Sequence, residues 1–238
     1  MYLSVLVPVY NGAPYLEGCL GALVGTLSDK PYPWEIIVCE DGSTDGTKQL
    51  CEVLKARYPQ VRFINSGRRL GRGGALTRAA EEARGEILAY LDVDMATDAR
   101  HLDELVAHAS NGSDVVTGSR YLQGSRSRRT FGRLAYSKFY NRIVRLLFGS
   151  KIKDHQCGFK AFKREALEAV LPRVRSSHWF WDTEVLVRAQ AMGMRVDEIP
   201  VDWEENPEHT TINLRKDVPY FLREMMALRR ELKGHRNT

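Results

Sequence analysis

Four short apolar runs, residues 3–10, 34–39, 61–64 and 88–91, are each followed by a stretch with helical spacing, and this alternation constrains the fold most. Leu16, Leu20 and Leu23 follow the first run; Leu50, Val53, Leu54 and Tyr58 follow the second; Ala75, Ala79, Ala80 and Ala83 follow the third; Leu102, Leu105 and Val106 follow the fourth. Strand and helix alternating at this interval call for right-handed crossovers and a mostly parallel sheet flanked by helices. The class is α/β and Rossmann-like. At 238 residues, with 43% apolar and 27% charged residues, the chain suits one large soluble domain.

In an open sheet of this kind ligands sit beyond the carboxyl ends of the strands, so the polar residues closing each run are the candidates. The first run ends in Pro8, Tyr10 and Asn11, the second in Glu40, Asp41 and Ser43, and the fourth in Asp92-Val93-Asp94. Asp92 and Asp94 stand one residue apart, leave an extended strand on one side, and together can hold one hard divalent cation through oxygen. An acidic turn in which Asp94 or Thr97 caps the next helix accounts for the same residues. Gly71-Arg72-Gly73-Gly74 is no dinucleotide fingerprint, because the third glycine falls at Leu76, and there is no Gly-Lys-Ser or Gly-Lys-Thr phosphate loop. It is either a helix start whose amides and Arg72 approach a nucleotide or a close helix contact.

Further along, residues 114–118 read as a strand ending at Ser119-Arg120-Tyr121, and residues 123–133 as a polar, basic, mobile loop. A basic helix at 134–148, a tight turn at 154–160, a helix at 183–192 and a last strand at 196–201 follow. The C-terminus repeats Val218, Phe221, Leu222, Met225, Leu228 and Leu232 at helical spacing opposite Arg223, Arg229, Arg230 and Lys233. The expected organisation is a catalytic domain over 1–212 and a basic amphipathic helix over 213–238, with no transmembrane segment. Cys19, Cys39, Cys51 and Cys157 lack metal or redox spacing and read as reduced cytosolic thiols. The net charge of +5 is concentrated in 126–145 and 215–236, which suits an anionic partner; no motif points to nucleic acid.

The stretches Val7-Pro8-Val9-Tyr10-Asn11, Glu40-Asp41-Gly42-Ser43-Thr44-Asp45-Gly46-Thr47, Leu70-Gly71-Arg72-Gly73-Gly74-Ala75, Leu91-Asp92-Val93-Asp94, Gly118-Ser119-Arg120-Tyr121 and Asp154-His155-Gln156-Cys157-Gly158-Phe159-Lys160 are specific in their order and spacing. From Ser4 to about Asp217 the chain resembles the family 2 glycosyltransferases of the GT-A fold. Within them it resembles the polyprenyl-phosphate sugar synthases, the dolichyl-phosphate glucose and mannose synthases. The resemblance implies inverting transfer of a hexose from a nucleotide sugar to dolichyl or polyprenyl phosphate. Pro8, Tyr10, Asn11 and Asp41 are then nucleoside contacts, with Glu40 and Arg72 beside them. Asp92 and Asp94 hold Mg²⁺ or Mn²⁺ on the diphosphate, and Arg215 and Lys216 add to that clamp.

A phosphate monoester with its second pKa about 6 is already largely dianionic at pH 7, so such an acceptor needs cations more than a base. The resemblance places Arg120, Arg133 and Ser137 there. Asp182 and Glu184 lie where relatives acting on a hydroxyl carry their base. Glu40 replaces the first aspartate of the usual Asp-Asp-Gly-Ser motif, and Thr211 stands where many relatives have lysine. Ala96, following Asp92 and Asp94, matches the glucose-synthase pattern and favours a UDP-sugar over GDP-mannose. The basic helices then imply peripheral attachment to the cytoplasmic face of a membrane. Transfer to a glycan hydroxyl, with Asp182 or Glu184 as base, and a silent nucleotide-sugar-binding protein are the alternatives.

Overall fold

The computed structural model describes residues 1–128, 130–204 and 214–234. The first half alternates β1 (Leu3–Val9), α1 (Ala13–Leu27), β2 (Trp34–Glu40), α2 (Thr47–Arg57), β3 (Val61–Asn65), α3 (Arg72–Glu82), β4 (Ile87–Leu91), α4 (Leu102–Ser110) and β5 (Val115–Ser119). Then come β6 (Arg126–Arg128), α5 (Phe131–Phe148), β7 (Phe159–Lys163), α6 (Arg164–Val170), α7 (Trp181–Ala191), β8 (Val196–Pro200), β9 (Asp202–Glu204) and α8 (Leu214–Gly234).

Seven strands form one sheet in the order β3-β2-β1-β4-β7-β5-β8, and β7 runs antiparallel to both neighbours while the other pairings are parallel. β1 is buried along its whole length, as a strand covered on both faces must be. Leu16, Leu20, Leu23, Leu27 and Leu105 close one face; Ala75, Leu76, Ala79, Trp181, Val185 and Leu186 close the other. Tyr140, Val144, Phe180, Val187, Phe221, Met225 and Leu228 form a third cluster that joins α5, α7 and α8. The apolar positions of α8 therefore divide: Phe221, Met225 and Leu228 are buried, whereas Val218 and Leu222 are exposed. No described helix is long and apolar enough to cross a membrane.

Three expectations need correction. Residues 123–133 are not a loop throughout, because β6 pairs in parallel with β9 and α5 begins at Phe131. The turn at 154–160 leads into a buried strand, β7, hidden in the sequence by the lysine at its second position. Val53, expected on the inner side of its helix, is 68% exposed, and Cys51 and Leu54 are buried instead.

The turn before β7 is tied to α5 through His155. Its backbone N–H and Nδ1 both meet Asn141 Oδ1, at 2.9 and 2.8 Å, and Nε2 meets Ser150 Oγ at 2.8 Å. Burial holds the ring neutral, with its pKa down to about 3. The unfolded chain takes up this proton near pH 6.5 and the folded chain does not, so stability falls as pH drops from 6.5 towards 3. By pH 5 this one group is expected to cost about 2 kcal/mol. Urea unfolding of the wild type and His155→Gln at pH 7.5 and 5.0 checks it; equal losses in both proteins count against it.

Candidate active site

The carboxyl ends of β1, β2 and β4 open into a cavity of about 270 Å³ lined by Pro8, Tyr10, Asp41, Arg69, Arg72, Asp92, Asp94, His178 and Trp179. Tyr10 presents its ring, and the Arg69 guanidinium lies 3.7 Å from the ring centroid, a cation–π contact at the mouth. Asp41 is 2% exposed and already committed: Oδ1 accepts from the Leu70 N–H at 2.6 Å and Oδ2 from the Gly71 N–H at 2.9 Å. It shapes the 66–71 loop that carries Arg69. Two expected nucleoside contacts do not line this cavity. Glu40 is buried and accepts from the Ser43 N–H at 2.5 Å. Asn11, at φ 52°, accepts from the Thr44 N–H at 2.8 Å and locks the β1 and β2 turns together.

The glycine cluster makes the close helix contact, with Arg72 on the cavity. Gly71 has φ +87°, its N–H goes to Asp41, and the Gly74 N–H donates to Ser177 O at 2.9 Å. A Cβ on Gly73 would lie 2.5 Å from Trp181 Cβ. Arg72, between them, is 11% exposed in its side chain and bridges two carboxylates, Nε to Asp92 Oδ1 at 2.7 Å and Nη1 to Asp182 Oδ2 at 2.5 Å. Burial opposes its charge, and Asp182 and Asp92 overcome that, leaving it above its ordinary pKa.

Asp182 lies at the start of α7 and is held from three sides, by Arg72, by the Tyr90 hydroxyl of β4, and by Lys160 Nζ at 2.6 Å. Lys160 is completely buried and also donates to Cys157 O at 2.5 Å. Burial pushes Asp182 up to about 6 and Lys160 down to about 7. Glu184, also in the first turn of α7, holds the fold together: it accepts from the Ser176 N–H at 2.8 Å and from Arg188 Nε at 2.8 Å.

A second cavity, about 250 Å³, lies across Arg72, Asp92 and Trp179, which belong to both. It is lined further by Arg120, Arg133, Ser137, Asp182, Asp217 and the rings of Tyr136, Trp203 and Phe221. Arg120 is not a loose cation: Nε and Nη2 grip Asp154 at 2.6 and 2.7 Å, a two-pronged pair with Asp154 fully buried. Burial would raise Asp154, and Arg120 outweighs it, holding the carboxyl below the usual range. Ser137 accepts from the Tyr121 hydroxyl at 2.6 Å. The Thr211 position and the side chains of Arg215 and Lys216 lie outside the described residues.

Asp92 and Asp94 both line the first cavity. Asp92 follows the last residue of β4, and Asp94 Oδ1 accepts from the Ala96 N–H at 3.1 Å, in a turn where Met95 takes φ 54°. Among the described residues no group of three or more His, Cys, Asp or Glu is placed to hold a metal alone. Two carboxylates fit a Mg²⁺ or Mn²⁺ site that phosphate oxygens complete. Gly158 is what lets the β7 turn approach: a Cβ there would stand 1.9 Å from Asp92 Oδ2. Gly158→Ala is therefore expected to dislodge Asp92 and cut any metal-dependent activity about 100-fold at little cost in melting temperature. Unchanged rates would contradict this placement.

Sequence reasoning passed over Arg69, Tyr90, Asp154 and Lys160. The last two bound the Asp154–Lys160 turn without a role of their own, and Tyr90 looked like one more apolar position.

Comparison with known proteins adds three relations. The glycosyltransferase AglD of Haloferax volcanii is 47% identical over 91% of this chain and 35% of its own length. A dolichyl-phosphate beta-glucosyltransferase, ALG5C of Trichomonas vaginalis, is 34% identical over 86% of this chain and 64% of its own. The chain thus spans about a third of the first relative and just under two thirds of the second. Glucosyl-3-phosphoglycerate synthase from Mycobacterium tuberculosis, solved with Mn²⁺, UDP and phosphoglyceric acid, superposes with a TM-score of 0.70 at 18% identity, over 98% of this chain and 78% of that one. It shares the mostly parallel GT-A architecture. The model of glycosyl transferase family 2 matches residues 4–171, and with that extent of agreement the chain belongs to this family.

Proposed function

We propose that this chain transfers a hexose, with inversion, from a UDP-sugar to the phosphate of a dolichyl or polyprenyl phosphate. The observation that carries the reading is the pair of cavities meeting at Arg72, Asp92 and Trp179. One has carboxylates at its end and an aromatic ring at its mouth, suited to a nucleotide and a cation. The other sets arginines among aromatic rings, suited to a phosphate on an apolar chain. Arg72, Lys160 and Tyr90 all contact Asp182, which favours a phosphate acceptor over a hydroxyl that would need Asp182 as its base. The relatives that are dolichyl-phosphate glucosyltransferases support the same acceptor and a glucose donor.

Tyr10 and Arg69 frame the base, and Asp41 acts through the loop it holds. Asp92 and Asp94 would hold Mg²⁺ or Mn²⁺, which supplies charge neutralisation to the departing diphosphate when bound. Arg133 and Ser137, one turn apart on α5, orient the acceptor phosphate, and Arg120 is set by Asp154 to face it. The acceptor oxygen attacks the anomeric carbon as the bond to the nucleoside diphosphate breaks.

A lipid acceptor calls for a membrane surface. α5 contains no acidic residue and exposes Phe139 and Leu146 beside Lys138, Arg142 and Arg145. α8 exposes Val218, Leu222 and Met226 one turn apart, beside Arg223 and Arg230. These faces support docking on an anionic leaflet, read as the cytoplasmic one.

The test offers labelled UDP-glucose, UDP-N-acetylglucosamine and GDP-mannose separately, with Mn²⁺ and a short polyprenyl phosphate. Label is expected in an extractable lipid from UDP-glucose. Arg133→Ala is expected to raise the acceptor KM about tenfold and leave the donor KM unchanged. Donor hydrolysis without a lipid product would point to a hydroxyl acceptor.

A further inference from the structure

Among the described residues, Arg72 is the one cation that lines both cavities, and it is placed on a residue that the proposed donor site needs. Its guanidinium reaches Asp92 with Nε and Asp182 with Nη1, at 2.7 and 2.5 Å. The two anchors are not equivalent. Asp182 has Lys160 and Tyr90 as further partners and is 3% exposed. Asp92 is 36% exposed in its side chain, stands at the cavity surface, and is paired with Arg72 through one oxygen. The joint at Asp92 is thus the one that opens to solvent and ligands, and the joint at Asp182 is the one that stays.

We infer that Arg72 is a positioning residue that occupies Asp92 in the free protein, so that Asp92 accepts a divalent cation only when the anionic diphosphate of the donor arrives with it. A guanidinium and a dication on one carboxylate repel each other at this range, and a carboxylate turned towards Arg72 is a poorer ligand for the metal. Two phosphates brought by the donor reverse that balance. Asp92 then turns to the cation, and Arg72 remains fixed on Asp182 with its Nε edge at the junction of the cavities. Cation and nucleotide are coupled by this exchange, and the coupling is reciprocal. The inference rests on the proposed donor and metal site, and it adds the residue that makes their binding interdependent.

The experiment measures Mn²⁺ binding by electron paramagnetic resonance of the free ion, with and without UDP, for the wild-type chain, Arg72→Met and Arg72→Lys. No turnover is involved. Arg72→Met is expected to bind Mn²⁺ without UDP at least tenfold more tightly than wild type, and UDP is expected to improve its affinity by a correspondingly smaller factor. Arg72→Lys keeps a cation on Asp182 but loses the fork that spans both carboxylates, and is expected to change in the same direction by less. It serves as the reading if the methionine variant does not fold, and melting curves decide that. Equal Mn²⁺ affinity without UDP in wild type and variants, with UDP still tightening it, overturns the inference and leaves the donor site standing. Failure of the wild type to bind Mn²⁺ even with UDP overturns both.

Discussion

Asp94→Ala is expected to lower transfer about a thousandfold while the protein still melts as a folded domain. Asp94 lines the donor cavity after β4, and within its own turn it accepts a hydrogen bond from the Ala96 N–H. Losing that bond costs roughly 1 kcal/mol. Losing a carboxylate that would hold the cation removes charge stabilisation where the diphosphate leaves, and single groups of that kind are worth about 10²–10³ in rate. Asp94→Asn separates the two roles. It retains a carbonyl oxygen for Ala96 and lacks the charge, so it is expected to melt like wild type and to be nearly as inactive as the alanine variant. Initial rates at saturating Mn²⁺ and UDP-sugar are the measurement. A variant with more than a tenth of wild-type activity would remove Asp94 from the metal site.

Lys160→Met carries the largest expected effect on stability. The ammonium is wholly buried and joins β7 to Asp182 on α7, to Tyr90 on β4 and to the Cys157 carbonyl. Its removal leaves the buried Asp182 with Arg72, which Asp92 shares, and breaking a buried ion pair of this kind costs about 3–5 kcal/mol. For a chain of this size that is a fall in melting temperature on the order of 10 °C. The double variant Lys160→Met/Asp182→Asn removes the excess negative charge and leaves Arg72 paired with Asp92, and it is expected to recover a good part of the loss. A double variant no more stable than Lys160→Met alone would show that the lysine matters for packing rather than for charge.

The parallel half of the sheet was legible because its strands are buried on both faces and its helices keep their period. The residues closing those strands were legible for the same reason, since in such a sheet the strand ends share one edge. The place of Asp92 and Asp94 at that edge follows from this geometry, and their role on a cation comes with the family resemblance. The rest was written in long-range pairings with no local signature. β7 contains a lysine because its counter-charge comes from α7, 22 residues further on. Arg120 looked available for a ligand because Asp154, 34 residues away, is its partner only in space. Gly71-Arg72-Gly73-Gly74 has the composition of a phosphate loop, and what distinguishes it is Trp181 against Gly73.

The reversed direction of β7 has a consequence for how such a protein can diversify. Since β5 and β7 are antiparallel, with Thr117 opposite Lys160, the excursion between them leaves and re-enters the sheet at one edge. The Arg120–Asp154 pair closes its two ends. Residues 121–153, with α5, Arg133 and Ser137, therefore form one excursion from the sheet, fastened beyond it by β9 and by the cluster that joins α5 to α7 and α8. On the proposed reading, replacements within it alter one wall of the acceptor cavity while β1, β2 and β4 keep their register. On that reading a new acceptor also calls for changes at Trp203, Asp217 and Phe221, which line the same cavity from outside the excursion.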